Sequence, residues 1–262
     1  MHATPAALIY TDIPMRRPTA DLAHAIRQKP TLCVVATHCS SCKLREVCLP
    51  CGLREIDSAL LDELAYTRKR VKRGEAIFRA GAEFDALYAV RSGFFKSSVL
   101  LEDGRDQVTG FHMAGEILGT DGIGSGSHTS DAIALEDSEI CIIPYARLEE
   151  PALQRQLHKV MSRELVRDQG LMMLLGTMRA EERLATFLLN LSHRFTARGY
   201  SASEFHLRMT RDEIGSYLGL SLETVSRLFS RFQDDELITV QQKHICILDV
   251  AGLRRVMVRE SD

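Results

Sequence analysis

The pattern of hydrophobic and polar positions divides this chain of 262 residues into distinct regions. From Thr67 to Pro144, short apolar runs alternate with turn-forming glycines at roughly ten-residue spacing, which predicts a β-barrel or β-roll. After Pro144, apolar residues recur at steps of three and four, which predicts a long helix. Residues 1 to about 32 have four prolines and no such period, so we expect an irregular arm there.

The long helix has an apolar stripe with one charged member. Its positions follow at steps of four, four, three, four and three residues: Leu157, Met161, Leu165, Asp168, Met172 and Leu175. A stripe on one helix face favours a dimer seam or a packing face. Asp168 is either a carboxylate that reaches water at the seam edge or a charge that faces its own symmetry mate. Two facing carboxylates ~4–6 Å apart repel by a few kcal/mol at an effective dielectric of about 20, which would leave dimerisation marginal.

A helix-turn-helix pattern follows near the C-terminus. Thr210 and Ser221 are each suited to cap the start of a helix. Gly219 lies where the first helix must end in a left-handed residue. Gly215 is small enough to let the two helices approach, and Val225 is placed to fill the angle between them. The second helix is predicted to begin at about Leu222 and to enter the major groove of DNA.

Three polar residues share one face of that second helix. Glu223, Ser226 and Arg227 fit base contacts, because Arg binds guanine bidentately, Glu accepts from cytosine and Ser contacts either. The plainer interpretation is a solvated face with Glu–Arg support four residues apart. Gln241–His244 lies between two short apolar runs and predicts the wing of a winged helix. Residues 179–262 have twelve basic and twelve acidic side chains, so tight DNA binding should require a dimer.

Cysteine is distributed unevenly along the chain. Five of the seven cysteines lie within residues 33–51, namely Cys33, Cys39, Cys42, Cys48 and Cys51. Cys141 and Cys246 stand alone in apolar runs, a pattern that favours buried strand cysteines. In a reducing compartment, a dense cluster with an odd total is more typical of a metal site or a redox switch than of disulfides.

Three explanations of the cysteine cluster stay open on the residues alone. Three thiolates from a loop that folds back could hold three corners of a [4Fe–4S] cluster, with a distant fourth ligand. Cys39, Cys42, Cys48 and Cys51 also form a C-x2-C-x5-C-x2-C pattern that suits a four-thiolate zinc site. A thiol redox switch is the third explanation.

Composition narrows the class of protein. Hydrophobic residues make up 45% and charged residues 26%, as in a folded globular protein, and the length favours two domains. The absence of an apolar run of ~18 residues and of a secretory signal pattern leads us to expect a cytoplasmic protein without a membrane span. A net charge of −2 argues against a uniformly basic nucleic-acid binder. No catalytic motif is present, so we do not expect an enzyme.

Five motifs resemble those of one protein family. They are Cys39–Pro50 (C-x2-C-x5-C-L-P), Leu87–Gly93 (LYAVRSG), Gly110–Gly115 (GFHMAG), Ala180–Leu184 (AEERL) and Glu223–Arg227 (ETVSR). Over about residues 33–248 the chain resembles the cAMP-receptor/FNR family of transcription regulators, and within it the oxygen-responsive FNR (fumarate and nitrate reduction) branch. The resemblance implies an α+β fold with a cyclic-nucleotide-binding-like β-roll, a long dimerisation helix and a C-terminal winged helix-turn-helix.

The resemblance also implies a ligand set for the cysteines. Cys39, Cys42, Cys48 and Cys141 would hold a [4Fe–4S] cluster, which changes Cys141 from a core residue to the fourth ligand. Members that bind cyclic nucleotides have an Arg-Ser pair that clamps the phosphate. Here the corresponding Ser127–Asp131 (SHTSD) contains no arginine, so we expect no cyclic-nucleotide ligand.

The resemblance implies a dimer and a DNA site as well. Asp168 would be an interface aspartate that opposes dimerisation without the cluster, and the seam around Met161, Leu165 and Met172 would outweigh it when the cluster is intact. The base-contacting residues, Glu223, Ser226 and Arg227, would read TTGAT-type half-sites in an inverted repeat of double-stranded DNA. Contact with RNA polymerase is a further implication.

Together these inferences predict four parts: an arm and cysteine-rich loop at 1–52, a β-roll sensor at 53–145, a dimerisation helix at 146–179 and a winged helix-turn-helix at 180–262. The predicted function is an oxygen-responsive transcription regulator. A regulator with zinc or a thiol/disulfide switch is the first alternative. An iron–sulfur enzyme or electron carrier with an incidental helix-turn-helix is the second.

Overall fold

The N-terminal half of the described chain is a β-roll. The computed structural model describes residues 39, 42–49, 67–149 and 151–257. Within them the first eight strands are β1 (Thr67–Val71), β2 (Ala76–Phe78), β3 (Ala86–Ser92), β4 (Phe94–Leu100), β5 (Asp106–Met113), β6 (Ile117–Leu118), β7 (Asp131–Ala134) and β8 (Ser138–Pro144). They form two antiparallel four-stranded sheets with the orders β1-β8-β3-β6 and β2-β7-β4-β5. The predicted β-roll is confirmed.

Apolar side chains from both sheets fill the inside of the roll. This core consists of Val71, Phe78, Val90, Phe95, Leu118, Ala132, Ala134 and Ile140. Gly93 joins β3 to β4 with a φ of 91°, and a Cβ at this position would collide with Ser138. Glycine is therefore required both by the left-handed backbone and by the close approach of β8.

A long helix, α1 (Pro151–Thr177), follows a short 3-10 helix at Tyr145–Glu149. The first turns of α1 bury Leu153, Leu157 and Val160 against the roll. Leu157, the first member of the apolar stripe, is only 5% exposed, so it packs within its own chain. Periodicity alone could not show where one helix face passes from the chain's own core to solvent.

The C-terminal part is a winged helix-turn-helix. Its elements are α2 (Ala180–Thr196), β9 (Glu204–His206), α3 (Arg211–Leu218), α4 (Leu222–Asp234), β10 (Ile238–Gln241), β11 (His244–Ile247) and α5 (Val250–Met257). The sheet order is β10-β11-β9, and Gln241 to His244 forms the predicted hairpin. The predicted α+β fold is confirmed. The four domain boundaries stay predictions, and residues 1–38 lie outside the described residues.

The roll and the helix-turn-helix share one apolar core. The rings of Phe111 of β5, Phe187 of α2 and Tyr217 of α3 pack together, and the Phe111 centroid lies 6.0 Å from that of Phe187 and 5.1 Å from that of Tyr217. Ser216 of α3 also accepts a hydrogen bond from the Val108 backbone at 2.8 Å. The two parts therefore meet through packed side chains. A search of the described helices finds none with the length and apolar character needed to cross a lipid bilayer.

Candidate functional site

Four cysteines line one pocket between the N-terminal loop and the roll. Cys39, Cys42 and Cys48 come from the loop, and Cys141 comes from β8. The loop folds back on itself, because the backbone amide of Cys42 donates to the Cys39 carbonyl at 3.2 Å and that of Cys48 donates to Leu44 at 2.9 Å. The turn that the spacing of these cysteines demands is therefore present.

Cys141 is held by the sheet. Its Cα is in register with Arg68 of β1 and Ala89 of β3, and its side chain is 8% exposed. A central strand fixes this thiol, whereas the other three belong to a loop. The pocket therefore lies between a central strand of the sheet and a loop that is closed by its own backbone hydrogen bonds.

Burial in the pocket favours the neutral thiol at Cys48 and Cys141. Burial is the main cause that raises the pKa of Cys48 to about 12, and the other three cysteines of the pocket add to the rise. Burial also raises the pKa of Cys141, although the Arg91 guanidinium opposes it. Arg91 donates to Cys42 Sγ at 3.7 Å and pairs with Glu139 at 3.2 Å.

Four cysteine thiols are a donor set that suits either a zinc ion or a [4Fe–4S] cluster. Among the described residues, no three His, Cys, Asp or Glu side chains are arranged to hold one metal ion. Thiolates around one zinc ion lie about 3.8 Å apart, since each Zn–S bond is about 2.3 Å. A [4Fe–4S] cluster spreads its ligands further, because each sulfur binds a different iron. Cys33 and Cys51 lie outside the described residues, and Cys246 lies on β11, away from the pocket.

The helix-turn-helix is specified by local hydrogen bonds. Thr210 Oγ1 accepts from the Glu213 amide at 3.1 Å, and the Glu213 carboxylate accepts from the Thr210 amide at 2.7 Å. Gly219 ends α3 with a φ of 64°. Ser221 caps α4 by accepting from the Thr224 amide at 3.2 Å. The predicted caps and turn are confirmed by this geometry.

The three residues of α4 that the sequence predicts to contact bases lie on its outward side. Glu223 and Arg227 are exposed and Ser226 is half-buried, while Val225 is fully buried between the two helices. A Cβ on Gly215 would lie 2.6 Å from the Leu220 carbonyl oxygen, so the close approach of the helices depends on glycine. Glu223, Ser226 and Arg227 therefore lie on the outer side of α4, and Val225 packs on its inner side.

The proposed seam lies on α1 and faces solvent in the protomer. Met161 is 38%, Leu165 58% and Met172 64% exposed, and Asp168 is exposed between them. Large apolar side chains in such a row mark an interaction surface. Neighbouring Arg167 turns inward instead, toward Glu116 at 3.2 Å.

A carboxylate bonds the segment Ser127–Asp131, in which the sequence has no arginine to clamp a phosphate. Asp121 Oδ2 accepts from the backbone amides of Thr129 and Ser130 at 2.9 and 3.1 Å, and from the Ser130 hydroxyl at 2.9 Å. Its Oδ1 lies 3.1 Å from His128 Nδ1. The backbone amides of Thr129 and Ser130 are therefore already bonded to a carboxylate. Sequence reasoning missed Asp121, since only the absent arginine was considered.

Comparison with known proteins agrees with both halves of the fold. The model of the Crp-like helix-turn-helix domain matches residues 182–256, and that of the cyclic nucleotide-binding domain matches residues 68–154. The chain is 47% identical over 231 residues to the transcriptional regulatory protein btr of Bordetella pertussis, covering 86% of this chain and 96% of that protein. The chain belongs to the CRP/FNR family of transcription regulators.

Other relatives place it in the FNR branch of the CRP/FNR family. It is 50% identical to the transcriptional activator protein Anr of Pseudomonas protegens, over 81% of this chain and 89% of that protein. It is 46% identical to the fumarate and nitrate reduction regulatory protein of Escherichia coli K12, over 81% and 87%. The structure of FixK2 from Bradyrhizobium japonicum is 31% identical, with a TM-score of 0.68, over 76% of this chain and 100% of that chain.

These findings confirm the predicted family, and with it a DNA-binding transcription regulator of the FNR/Anr type. The relatives are regulators, so this CRP/FNR protein is a regulator and not an enzyme. Regulators of the CRP/FNR family are dimeric, which accords with the exposed row on α1.

Proposed function

We propose that this regulator senses oxygen through a [4Fe–4S] cluster held by Cys39, Cys42, Cys48 and Cys141, and that the cluster controls dimerisation and operator binding. The observation that carries the proposal is the single pocket into which a loop and a central strand bring these four thiols. Four thiolates are the usual ligand set of such a cluster. A zinc ion or a thiol switch is the alternative cofactor arrangement.

The pocket is continuous with the core beneath α1. Cys39 and Cys141 belong to the same buried cluster of side chains as Leu153, Leu157 and Val160 of the helix. When bound, the cluster would supply a link between the loop and β8 that oxygen destroys. The loop side chains, once held against β8, fix the packing of the first turns of α1, because tightly packed interiors transmit small displacements.

We propose that this packing controls dimerisation through the exposed row on α1. In the dimer, Met161, Leu165 and Met172 would be buried against the partner, and the two Asp168 carboxylates would repel across the axis. A change of roughly 3 kcal/mol in the balance of these terms alters dimer affinity more than a hundredfold.

DNA recognition is proposed to depend on the outward side of α4. Glu223, Ser226 and Arg227 would contact the bases of TTGAT-type half-sites in an inverted repeat. Two copies of α4 about one helical turn apart match such a repeat. Weak binding by one subunit would make the dimer the active species.

Three further proposals complete the function. We propose that no cyclic nucleotide binds in the roll, since Asp121 already bonds the amides of Thr129 and Ser130. The exposed hairpin between β4 and β5, Glu102–Asp106, is a candidate contact with RNA polymerase by family analogy. The protein is proposed to act in the cytoplasm, where its operator DNA lies.

The test is anaerobic purification of the parent protein beside the variants Cys141→Ala and Cys246→Ala. We expect a brown parent protein that contains iron and sulfide and binds operator DNA until air bleaches it. Cys141→Ala should be colourless, whereas Cys246→Ala is the matched control from a distant strand and should behave as the parent.

Two results would overturn the proposal. The first is a colourless parent with stoichiometric zinc. The second is a Cys141→Ala protein with the parent's absorbance and the parent's response to air. Either result would leave the CRP/FNR assignment intact, because that assignment does not depend on the cofactor.

A further inference from the structure

Glu116, between β5 and β6, is the meeting point of three parts of the protein. Its carboxylate accepts from Arg198 Nη2 at 2.7 Å and from Arg194 through Nη2 at 2.7 Å and Nε at 3.2 Å, both arginines belonging to the DNA-binding half. It also accepts from Arg167 of α1 at 3.2 Å. One roll carboxylate therefore binds α1, the end of α2 and the turn that follows α2.

The cluster of Glu116 with Arg167, Arg194 and Arg198 is shielded from water. The side chains of Glu116 and Arg198 are 12% and 6% exposed. Burial alone would raise the pKa of Glu116, but the three guanidinium groups lower it to about 2. Arg194 donates in addition to the Phe111 carbonyl at 2.6 Å, so the arginine is bonded to the roll at two points. Removing one partner of a buried, hydrogen-bonded charge group is far more disruptive than removing an exposed pair.

The cysteine loop packs closely against the residue before Glu116. A Cβ on Gly115 would lie 2.5 Å from Cγ2 of Val47, the residue that precedes Cys48. Glu46 and Val47 line the same cavity as Glu116, Arg194 and Arg198. A displacement of Val47 toward or away from the roll would therefore change its packing on Gly115, and Glu116 is the next residue of the chain.

We infer that Glu116 is a positioning residue that transmits the state of the cysteine pocket to the DNA-binding domain, with Val47 on Gly115 as the point of contact. This inference deepens the proposed function and rests on it for the signal. It adds a route that does not pass through the dimer seam. The reading residues Glu223 and Arg227 are exposed while the Glu116 contacts are made, so the contacts belong to an arrangement that leaves the DNA-binding face open.

The test compares Glu116→Gln with the matched control Glu136→Gln. Glu136 also joins the roll to the DNA-binding domain, through Arg208 at 3.0 Å, but its side chain is 30% exposed and that of Arg208 43%. We expect anaerobic Glu116→Gln to keep the parent's absorbance and dimer fraction and to bind operator DNA at least fivefold more weakly. In air the dimer fraction of Glu116→Gln should still fall, whereas its operator affinity per dimer should stay the same as without air. Glu136→Gln should match the parent.

A loss of less than fivefold in Glu116→Gln, or an equal loss in Glu136→Gln, overturns the inference. If Glu116→Gln does not fold, Val47→Ala decides, since it opens space above Gly115 without breaking an ion pair. A fivefold loss of operator affinity in Val47→Ala, with the absorbance of the parent protein retained, supports the inference. Operator affinity equal to that of the parent overturns it. If the parent holds no iron and sulfide, the cofactor proposal fails by itself, and operator binding by the variants still shows whether Glu116 positions the DNA-binding domain.

Discussion

Removal of the charge on Asp168 is expected to let the protein dimerise and bind operator DNA in air. Asp168 is exposed on α1 between Leu165 and Met172, which are 58% and 64% exposed. When two such helices meet along this row, each carboxylate approaches its own copy. The apolar neighbours favour association and the two carboxylates oppose it, so a single position sets the balance.

The size of the effect follows from the two opposing terms. The exposed fractions of Met161, Leu165 and Met172 correspond to about one and a half side chains per protomer, and burying them in both protomers is worth roughly 5–9 kcal/mol at about 1.5–3 kcal/mol each. Much of this is offset by the loss of translational and rotational freedom. Two charges ~5 Å apart repel by about 3 kcal/mol at an effective dielectric of about 20. Asp168→Ala should therefore tighten the dimer by about a hundredfold.

Sedimentation equilibrium in air, followed by operator titration, measures this effect. Asp168→Asn keeps the shape of the side chain and should give most of the gain, because charge is the cause. Gln169→Ala, the adjacent exposed position, is the control and should remain as weak a dimer as the parent. Raising the salt concentration should narrow the difference between parent and variant, since exposed charges are screened. An Asp168→Ala protein that stays monomeric and inactive in air would refute the reasoning.

Two further predictions concern DNA reading and acid stability. Arg227→Ala should remove one bidentate base contact in each half-site, about 1–3 kcal/mol per subunit, without changing the dimer fraction. Fluorescence anisotropy with operator and scrambled duplexes measures this, and equal binding by parent and variant contradicts it. Burial, together with the charge of Arg167, lowers the pKa of His112 to about 3. Between pH 6.5 and pH 3 the folded protein therefore binds fewer protons than the unfolded chain. The free energy of unfolding should accordingly decrease as the pH falls below 6.5. Urea unfolding at pH 7 and pH 5 should therefore show a loss in the parent about 2 kcal/mol larger than in His112→Gln, and equal losses would contradict this origin.

The helix-turn-helix could be predicted from the sequence because neighbouring residues determine it. The Thr210 cap, the left-handed Gly219 and the Ser221 cap each depend on partners within a few positions. The roll could be predicted as a class for a similar reason, since turn glycines recur between apolar runs. The pairing of its strands could not, because register depends on residues far apart in the chain.

The contacts around Glu116 show why the rest could not be predicted. Glu116 lies 78 residues from Arg194 and 82 from Arg198, so no local pattern connects them. A signal did exist, because Arg194 and Arg198 follow each other at a helical spacing where the sequence offers no nearby acidic partner on that face. Such a pair of arginines indicates that an acidic partner lies elsewhere in the chain. Only the tertiary fold identifies this partner as Glu116.

The helix α1 gives the sensor and the DNA-binding domain a common element. Its first turns bury Leu157 with the cysteine pocket, and Arg167 further along the helix binds Glu116 together with the DNA-binding domain. The later, exposed part of its apolar stripe, with Leu165 and Met172, is the proposed seam. A shift of α1 would reach both the seam and the contact of Arg167 with Glu116, whereas the contact of Val47 with Gly115 leads to Glu116 without passing through the seam. Dimerisation and operator affinity per dimer should accordingly respond to air as two separable quantities, and a variant that uncouples them locates the route by which the signal travels.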